Sequence, residues 1–152
     1  MHIEEYTTYQ ESEVLALYGS VGWTAYTEQP EALRRGFAGS LLTLAARENG
    51  TLVGLLRAVG DGCTVVLVQD LLVRPDHQRR GIGTALMEHC IRYTEKVGFL
   101  QLELDVVADN ESAVKLCKRH GFVEFGRNPL GFRRRDGSWQ ELILMRRELP
   151  QK

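Results

Sequence analysis

Arg74-Pro75-Asp76-His77-Gln78-Arg79-Arg80-Gly81-Ile82-Gly83-Thr84 is the stretch on which the reading of this chain turns. Before it runs Thr64 to Val73, nearly continuous in apolar residues and so expected to be a strand buried on both faces. Pro75 stops that strand, because proline lacks the N–H a ladder requires. After it, Ile82, Ala85, Leu86, Cys90, Tyr93 and Val97 recur at helical spacing, and Gly98 falls where a helix commonly ends. The loop therefore joins a buried strand to the start of a long helix. A helix start exposes unpaired N–H groups and the positive end of the helix dipole, and Gly81 and Gly83 let a ligand approach the backbone. This is the chemistry of a pyrophosphate site. Two familiar phosphate loops fail on spacing: a dinucleotide fingerprint needs a glycine where Leu86 stands, and a P-loop needs Gly-Lys-Ser/Thr.

Upstream, a short strand is predicted near His2 to Tyr6, followed by a helix carrying Val14, Leu15, Leu17, Tyr18 and Val21. A second helix starts at Pro30-Glu31-Ala32, with Leu33, Phe37 and Leu41 along one side. Leu42 to Glu48 and Thr51 to Val59 read as strands joined by Asn49-Gly50, and Gly60-Asp61-Gly62 turns the chain into the strand ending at Val73. Downstream come a strand from about Leu100 to Val107, a helix from about Asn110 to His120 closed by Gly121, and a strand at Phe122 to Gly126. Strand, helix, strand implies a parallel crossover. Asp136-Gly137 then turns the chain into a last strand, Trp139 to Arg147. The expected fold is mixed α/β of the α+β kind: a mostly antiparallel central sheet with one splayed parallel pair, flanked by about four helices, in a single domain over residues 1–152.

Composition limits the partners. A chain of 152 residues, 43% hydrophobic and 26% charged, has the profile of an ordered globular domain. Nineteen Lys and Arg against twenty Asp and Glu give a formal charge of −1, so no global positive field gathers nucleic acid or an anionic membrane. The run Arg133-Arg134-Arg135 precedes an Asp-Gly turn and reads as solvated loop charge. Met1-His2-Ile3-Glu4-Glu5 has neither the basic start nor the apolar run of a signal peptide, so a cytoplasmic location is expected. Cys63, Cys90 and Cys117 are odd in number and widely spaced, which argues against disulfides and metal and for small buried hydrophobes.

Gln78-x-x-Gly81-x-Gly83, after a strand ending in Val73-Arg74-Pro75, resembles the acetyl-CoA signature of the GNAT superfamily, Gln/Arg-x-x-Gly-x-Gly/Ala. Asp105 to Phe122, with Asn110, Ala113, Leu116, Gly121 and Phe122, resembles that superfamily's second motif, Asn-x-x-Ala-x-x-Leu-Tyr-x-x-x-Gly-Phe. Dense similarity runs from about Leu52 to Gly126, and the rest matches by element order. The resemblance implies an N-acetyltransferase using acetyl-CoA as cosubstrate. It implies that the backbone at Leu71, Leu72 and Val73 pairs with the pantetheine arm, in a gap between the strand ending at Val73 and the one starting near Leu100. It also implies that amides of Arg79, Arg80, Gly81, Ile82, Gly83 and Thr84 hold the pyrophosphate with Gln78 in the signature, and that Asn110 lies by the pantetheine. Asn110 also reads as a helix cap, and the two roles are compatible.

Acetyl transfer needs a neutral amine, an electrophilic carbonyl and a donor for the developing oxyanion. Strand N–H groups near Leu72 and Val73 are the natural donors, and direct attack by the amine suffices. Asp70 is the first candidate for the base, with Glu103 and Asp105 as rivals and a structural ion pair with an arginine as the other fate of Asp70. Period-two alternation leaves open whether Asp70 and Leu72, or Leu71 and Val73, face the gap. Trp23 and Tyr26 are candidate acceptor-binding residues, with core packing as their alternative. Cys117 stands where the superfamily often has a tyrosine acid; it is too short for that role and reads as a packing thiol on the face of Ala113 and Leu116. The expected partner is a small-molecule amine, with a protein or peptide amine and a non-catalytic acyl-CoA-binding regulator as alternatives. No nucleic acid or membrane partner is expected, and a homodimer is compatible with this reading.

Overall fold

The computed structural model describes residues 1–134 and 136–150. Arg135 of the arginine run and the last two positions of the expected domain lie outside the described residues. The elements are β1 (His2–Glu5), α1 (Glu11–Ser20), α2 (Thr24–Thr27), α3 (Pro30–Ala38), β2 (Leu42–Glu48), β3 (Thr51–Gly60), β4 (Val66–Val73), α4 (Ile82–Val97), β5 (Gln101–Val107), α5 (Glu111–Arg119), β6 (Val123–Arg133) and β7 (Trp139–Glu148), with a 3-10 turn at Pro75–His77. The strands form one sheet in the order β1-β2-β3-β4-β5-β7-β6. Every neighbouring pair is antiparallel except β4 and β5, which are parallel.

That parallel junction comes one crossover earlier than the strand, helix, strand from Leu100 to Gly126 suggests. The chain passes from β4 through α4 to β5, whereas β7 inserts between β5 and β6. The Asn49-Gly50 turn forms as expected, with both residues at positive φ (52° and 80°), the backbone a tight hairpin needs. Two boundaries differ from expectation. The one-turn helix α2 is too short to show a helical period. β6 runs to Arg133 rather than Gly126, and tolerates Pro129 because it is an edge strand whose register shifts between Asn128 and Phe132.

Each face of the sheet has its own core. On one side α4 and α5 cover Ala46, Val53, Leu56, Val66, Val68, Leu102, Leu104, Val106 and Met145, with Ile82, Leu86, Met87 and Cys90 contributed by α4 and Cys117 by α5. On the other, α1 and α3 place Val14, Leu17, Tyr18, Leu33 and Phe37 against Ala45, Leu52, Leu55 and Leu72. The second set of helices stops at β4. Beyond it, on that face, Glu103, Asp105, Leu142, Leu144 and Arg146 keep solvent exposure. Among the described residues no helix is long and apolar enough to cross a membrane.

Candidate active site

The site starts from an irregularity in β4. Its ladder with β3 pairs Arg57 with Asp70 but Ala58 with Val68, so Gln69 is an extra residue, a β-bulge. An inserted residue reverses the side-chain alternation beyond it. Val66 and Val68 therefore share the α4 face with Leu71 and Val73, while Asp70 and Leu72 turn to the α1–α3 face. The strand expected to be buried on both faces instead alternates, with Leu67, Leu71 and Val73 only half-buried. A bulge also bends its strand, and the parallel ladder to β5 stops at once: only Leu67 with Glu103 and Val68 with Leu104 are paired. From Gln69 onward β4 and β5 part.

The phase of the hydrogen bonds shows which groups the gap receives. Arg74 N–H donates to Val53 O (2.8 Å), so with the register Leu55 to Leu72 the amides of Asp70 and Leu72 point at β3. The amides of Leu71 and Val73 then point away from β3, into the gap. This corrects the expectation for Leu72: its N–H belongs to the ladder, and its side chain is buried in the α1–α3 core. The free donors are one residue to either side. Val73 C=O, on the same edge, is taken by Gln78 Nε2 at 3.0 Å, which folds the loop back onto the end of the strand.

The loop then presents its backbone to α4. Arg79 (φ 63°) and Gly81 (φ 83°) are both left-handed, a conformation that costs a non-glycine residue about 1 kcal/mol or more and is unstrained for glycine. Successive turns of this kind gather N–H groups into a concavity that favours anions. The first intrahelical bond is Ala85 N–H to Gly81 O, which leaves the amides of Ile82, Gly83 and Thr84 without helical partners. Ile82 is buried and anchors the helix start, and a Cβ on Gly83 would lie 3.5 Å from Leu116 Cδ2 of α5. The side chains of Arg79 and Arg80 are exposed, and Arg80 reaches toward Glu48 at 3.6 Å. Asn110 Oδ1 accepts from Ala113 N–H (3.2 Å), so this residue, at the far end of β5, does cap α5.

On the α1–α3 face Asp70 is nearly sealed from solvent (2% exposed) and accepts three bonds. Tyr18 OH and Arg57 Nε reach its Oδ2, each at 2.8 Å, and Tyr26 OH reaches Oδ1 at 2.9 Å. Burial and the carboxylate's charge raise the pKa of both phenols, so both keep their protons. An incoming amine therefore finds no free approach to this carboxylate, and the structural fate of Asp70 is the one realised. Arg57 and Tyr18 carry no local sequence signal as partners of Asp70: the bulged register of β3 with β4 brings up Arg57, and the packing of α1 on the sheet brings up Tyr18.

Two carboxylates remain at the gap. Glu103 and Asp105 lie on the face opposite Leu102, Leu104 and Val106. Glu103 accepts from Gln101 Nε2 (2.9 Å) and stands opposite Arg146 of β7, whereas Asp105 stands opposite Leu144, one step past the last parallel pair. Partial desolvation there raises the pKa of Asp105 above its ordinary value. Trp23 and Tyr26 are half-buried at the rim, with ring centroids 5.9 and 5.2 Å from that of Tyr18. Cys117 is buried in the core beneath α5, where loss of hydration pushes its thiol up to about 11.

The sequence model of the acetyltransferase (GNAT) family matches residues 5–122. The [ribosomal protein bS18]-alanine N-acetyltransferase of Escherichia coli strain K12 is 46% identical over 55 residues, a match that spans 36% of this chain and 37% of that one. The crystal structure of the ribosomal-protein-S18-alanine N-acetyltransferase from Escherichia coli superposes with a TM-score of 0.80 at 23% identity, covering 99% of this chain and 96% of the other. An aminoglycoside 6'-N-acetyltransferase complexed with coenzyme A gives a TM-score of 0.80 at 16% identity, covering 100% and 99%. These structural likenesses extend over nearly the whole chain.

Proposed function

Because the chain belongs to the acetyltransferase (GNAT) family, we propose that it is an acetyl-CoA-dependent N-acetyltransferase acting on a primary amine by direct attack. The observation that carries this reading is the unpaired edge of β4 beside the orphan amides of α4. An extended ligand bearing amide groups fits the Leu71 and Val73 donors as an added strand, and its pyrophosphate fits the N–H groups from Arg79 to Thr84. Acetyl-CoA has those parts in that order, and when bound supplies a thioester carbonyl open to attack. Whichever of the Leu71 and Val73 amides lies beside that carbonyl oxygen stabilises the developing negative charge.

The base is Asp105 rather than Asp70. It is exposed at the point where the strands part and lies on the face not covered by a helix, and its carboxylate makes no hydrogen bond or ion pair among the described residues. It takes the proton of the incoming ammonium and so frees the lone pair for attack. Cys117 needs no role as an acid, because a leaving thiolate with a pKa near ~8.5 is a modest base that water can protonate.

The acceptor in this reading is a small-molecule amine. A second reading, the terminal amine of a protein, draws on the uncovered face of β5, β7 and β6 and on the identity shared with the ribosomal-protein enzyme. The test is release of free thiol from acetyl-CoA with polyamines, arylalkylamines, amino acids, aminoglycosides and Ala-initiated peptides. Turnover with one class assigns the acceptor. A rise in melting temperature with CoA but no turnover on any class would leave a regulator that only binds the cofactor.

A further inference from the structure

Asp70 is buried on the α1–α3 face, and the proposed proton transfer makes no use of it. Each of its contacts is with a donor: the Arg57 guanidinium and the Tyr18 and Tyr26 hydroxyls. A carboxylate in such company only accepts, so the direction of the Tyr26 O–H is fixed, pointing inward to Oδ1. What the phenol offers outward is its lone pairs. Gln69 Nε2 already sits 3.5 Å from that oxygen, and because Gln69 is exposed on the bulge its amide is free to give way to another donor. The hydroxyl lies on the α1–α3 face of β4, between Asp70 and the bulge residue Gln69, where β4 begins to part from β5.

We infer that Asp70 is a positioning residue that locks the Tyr26 hydroxyl as a hydrogen-bond acceptor for the incoming nitrogen, so that the site selects ammonium groups carrying N–H over quaternary ones. This rests on the acetyltransferase reading above and deepens it. Trp23 and Tyr26, with ring centroids 6.2 Å apart, attract any cation through their ring faces regardless of how many N–H bonds it has. Asp105 attracts any cation too. Asp105 and the Tyr26 oxygen can each accept from an N–H, so discrimination by N–H count is shared between them, and the Tyr26 share is the one that Asp70 fixes. Tyr18 is buried in the helix core, and Arg57 closes the other side of Asp70 while also reaching Ser40 Oγ at 3.2 Å. The cluster is thus held from three sides and leaves the phenol one outward lone-pair direction.

The test compares phenethylammonium with phenethyltrimethylammonium, titrated calorimetrically into the CoA-loaded protein, so that it does not depend on turnover. The native protein should bind the primary cation at least about ten-fold more tightly, the scale of one hydrogen bond to a charged group. Tyr26→Phe should reduce that preference by weakening the primary cation alone, and should keep the stabilisation by CoA. Asp70→Asn, whose amide can donate to Tyr26 and turn its O–H outward, should reduce the preference likewise. If Asp70→Asn does not fold, Tyr26→Phe decides alone. A Tyr26→Phe variant that keeps the native preference, or weakens both cations equally, overturns the inference, as does failure of the native protein to bind either cation. Absence of thiol release with intact cation discrimination would instead sink the acetyltransferase reading and leave this recognition in place.

Discussion

At the scale of single residues the consequences are those of burial. Asp70 and Asp105 are both carboxylates within reach of the gap by position, yet one spends its oxygens on three donors and the other meets only partial desolvation. Because partial desolvation raises the pKa of Asp105, its basic form appears at higher pH than that of an ordinary aspartate, and kcat/KM should fall as pH drops through that raised value. Asp105→Asn should lower kcat by about 10²-fold or more near neutral pH, the usual range for a lost general base, and by less at high pH where more amine is already neutral. An equal loss at every pH would remove Asp105 from proton transfer. The three cysteines give a second check. Cys63 is exposed, whereas Cys90 and Cys117 are buried with thiols pushed up to about 12 and about 11. An aromatic disulfide reagent should titrate one thiol quickly and the other two only on unfolding, and Cys117→Ala should keep most of the turnover. A hundredfold loss in that variant at unchanged cofactor affinity would restore Cys117 to the mechanism.

At the scale of elements, β4 and its bulge decide the site. Deleting Gln69 should leave Val68, Asp70, Leu71 and Leu72 each on its present face, since the pairs Arg57 to Asp70 and Ala58 to Val68 would become consecutive rungs of a regular ladder. What the deletion removes is the bend, allowing β4 to continue alongside β5. The variant should fold yet lose the rise in melting temperature that acetyl-CoA gives the native protein. Retention of the full shift would show that the gap does not depend on the bulge. The same element marks the limit of what can be read from the chain alone. The run of elements, the loop before α4 and the Asn110 cap follow from period, glycine placement and cap chemistry, all local properties. A bulge depends on how two strands register, so counting by twos from Val66 puts Asp70 and Leu72 on one face with Val68, and the structure puts them on the other. Two of the three partners of Asp70 are illegible in the chain because they are distant in it: Arg57 and Tyr18 lie 13 and 52 positions away.

At the scale of the whole molecule the sheet divides two tasks between its faces. On the proposed reading the α4 and α5 side supplies the helix start that holds the pyrophosphate, and the side of α1, α2 and α3 supplies Trp23, Tyr26 and the opening toward Asp105. The two meet only at the gap. On the proposed reading, changes at the rim residues alter which amine is used without disturbing the cofactor half. The gap also bears on how the molecule holds together. Two residue pairs are all that join β4 to β5, so the seven strands amount to two half-sheets sharing a short seam. Such a seam has a signature in amide hydrogen exchange. Along β4 of the free protein, protection should alternate: Asp70 and Leu72, bonded to β3, exchange slowly, while Leu71 and Val73 exchange quickly. If acetyl-CoA lies where a neighbouring strand is missing, as proposed, it should slow Leu71 and Val73 and leave Asp70 and Leu72 nearly unchanged. Uniform protection of all four in the free protein would mean that no seam exists. If the pattern holds, the cosubstrate is also a structural member of the sheet, and each turnover opens and rejoins the two halves of the fold.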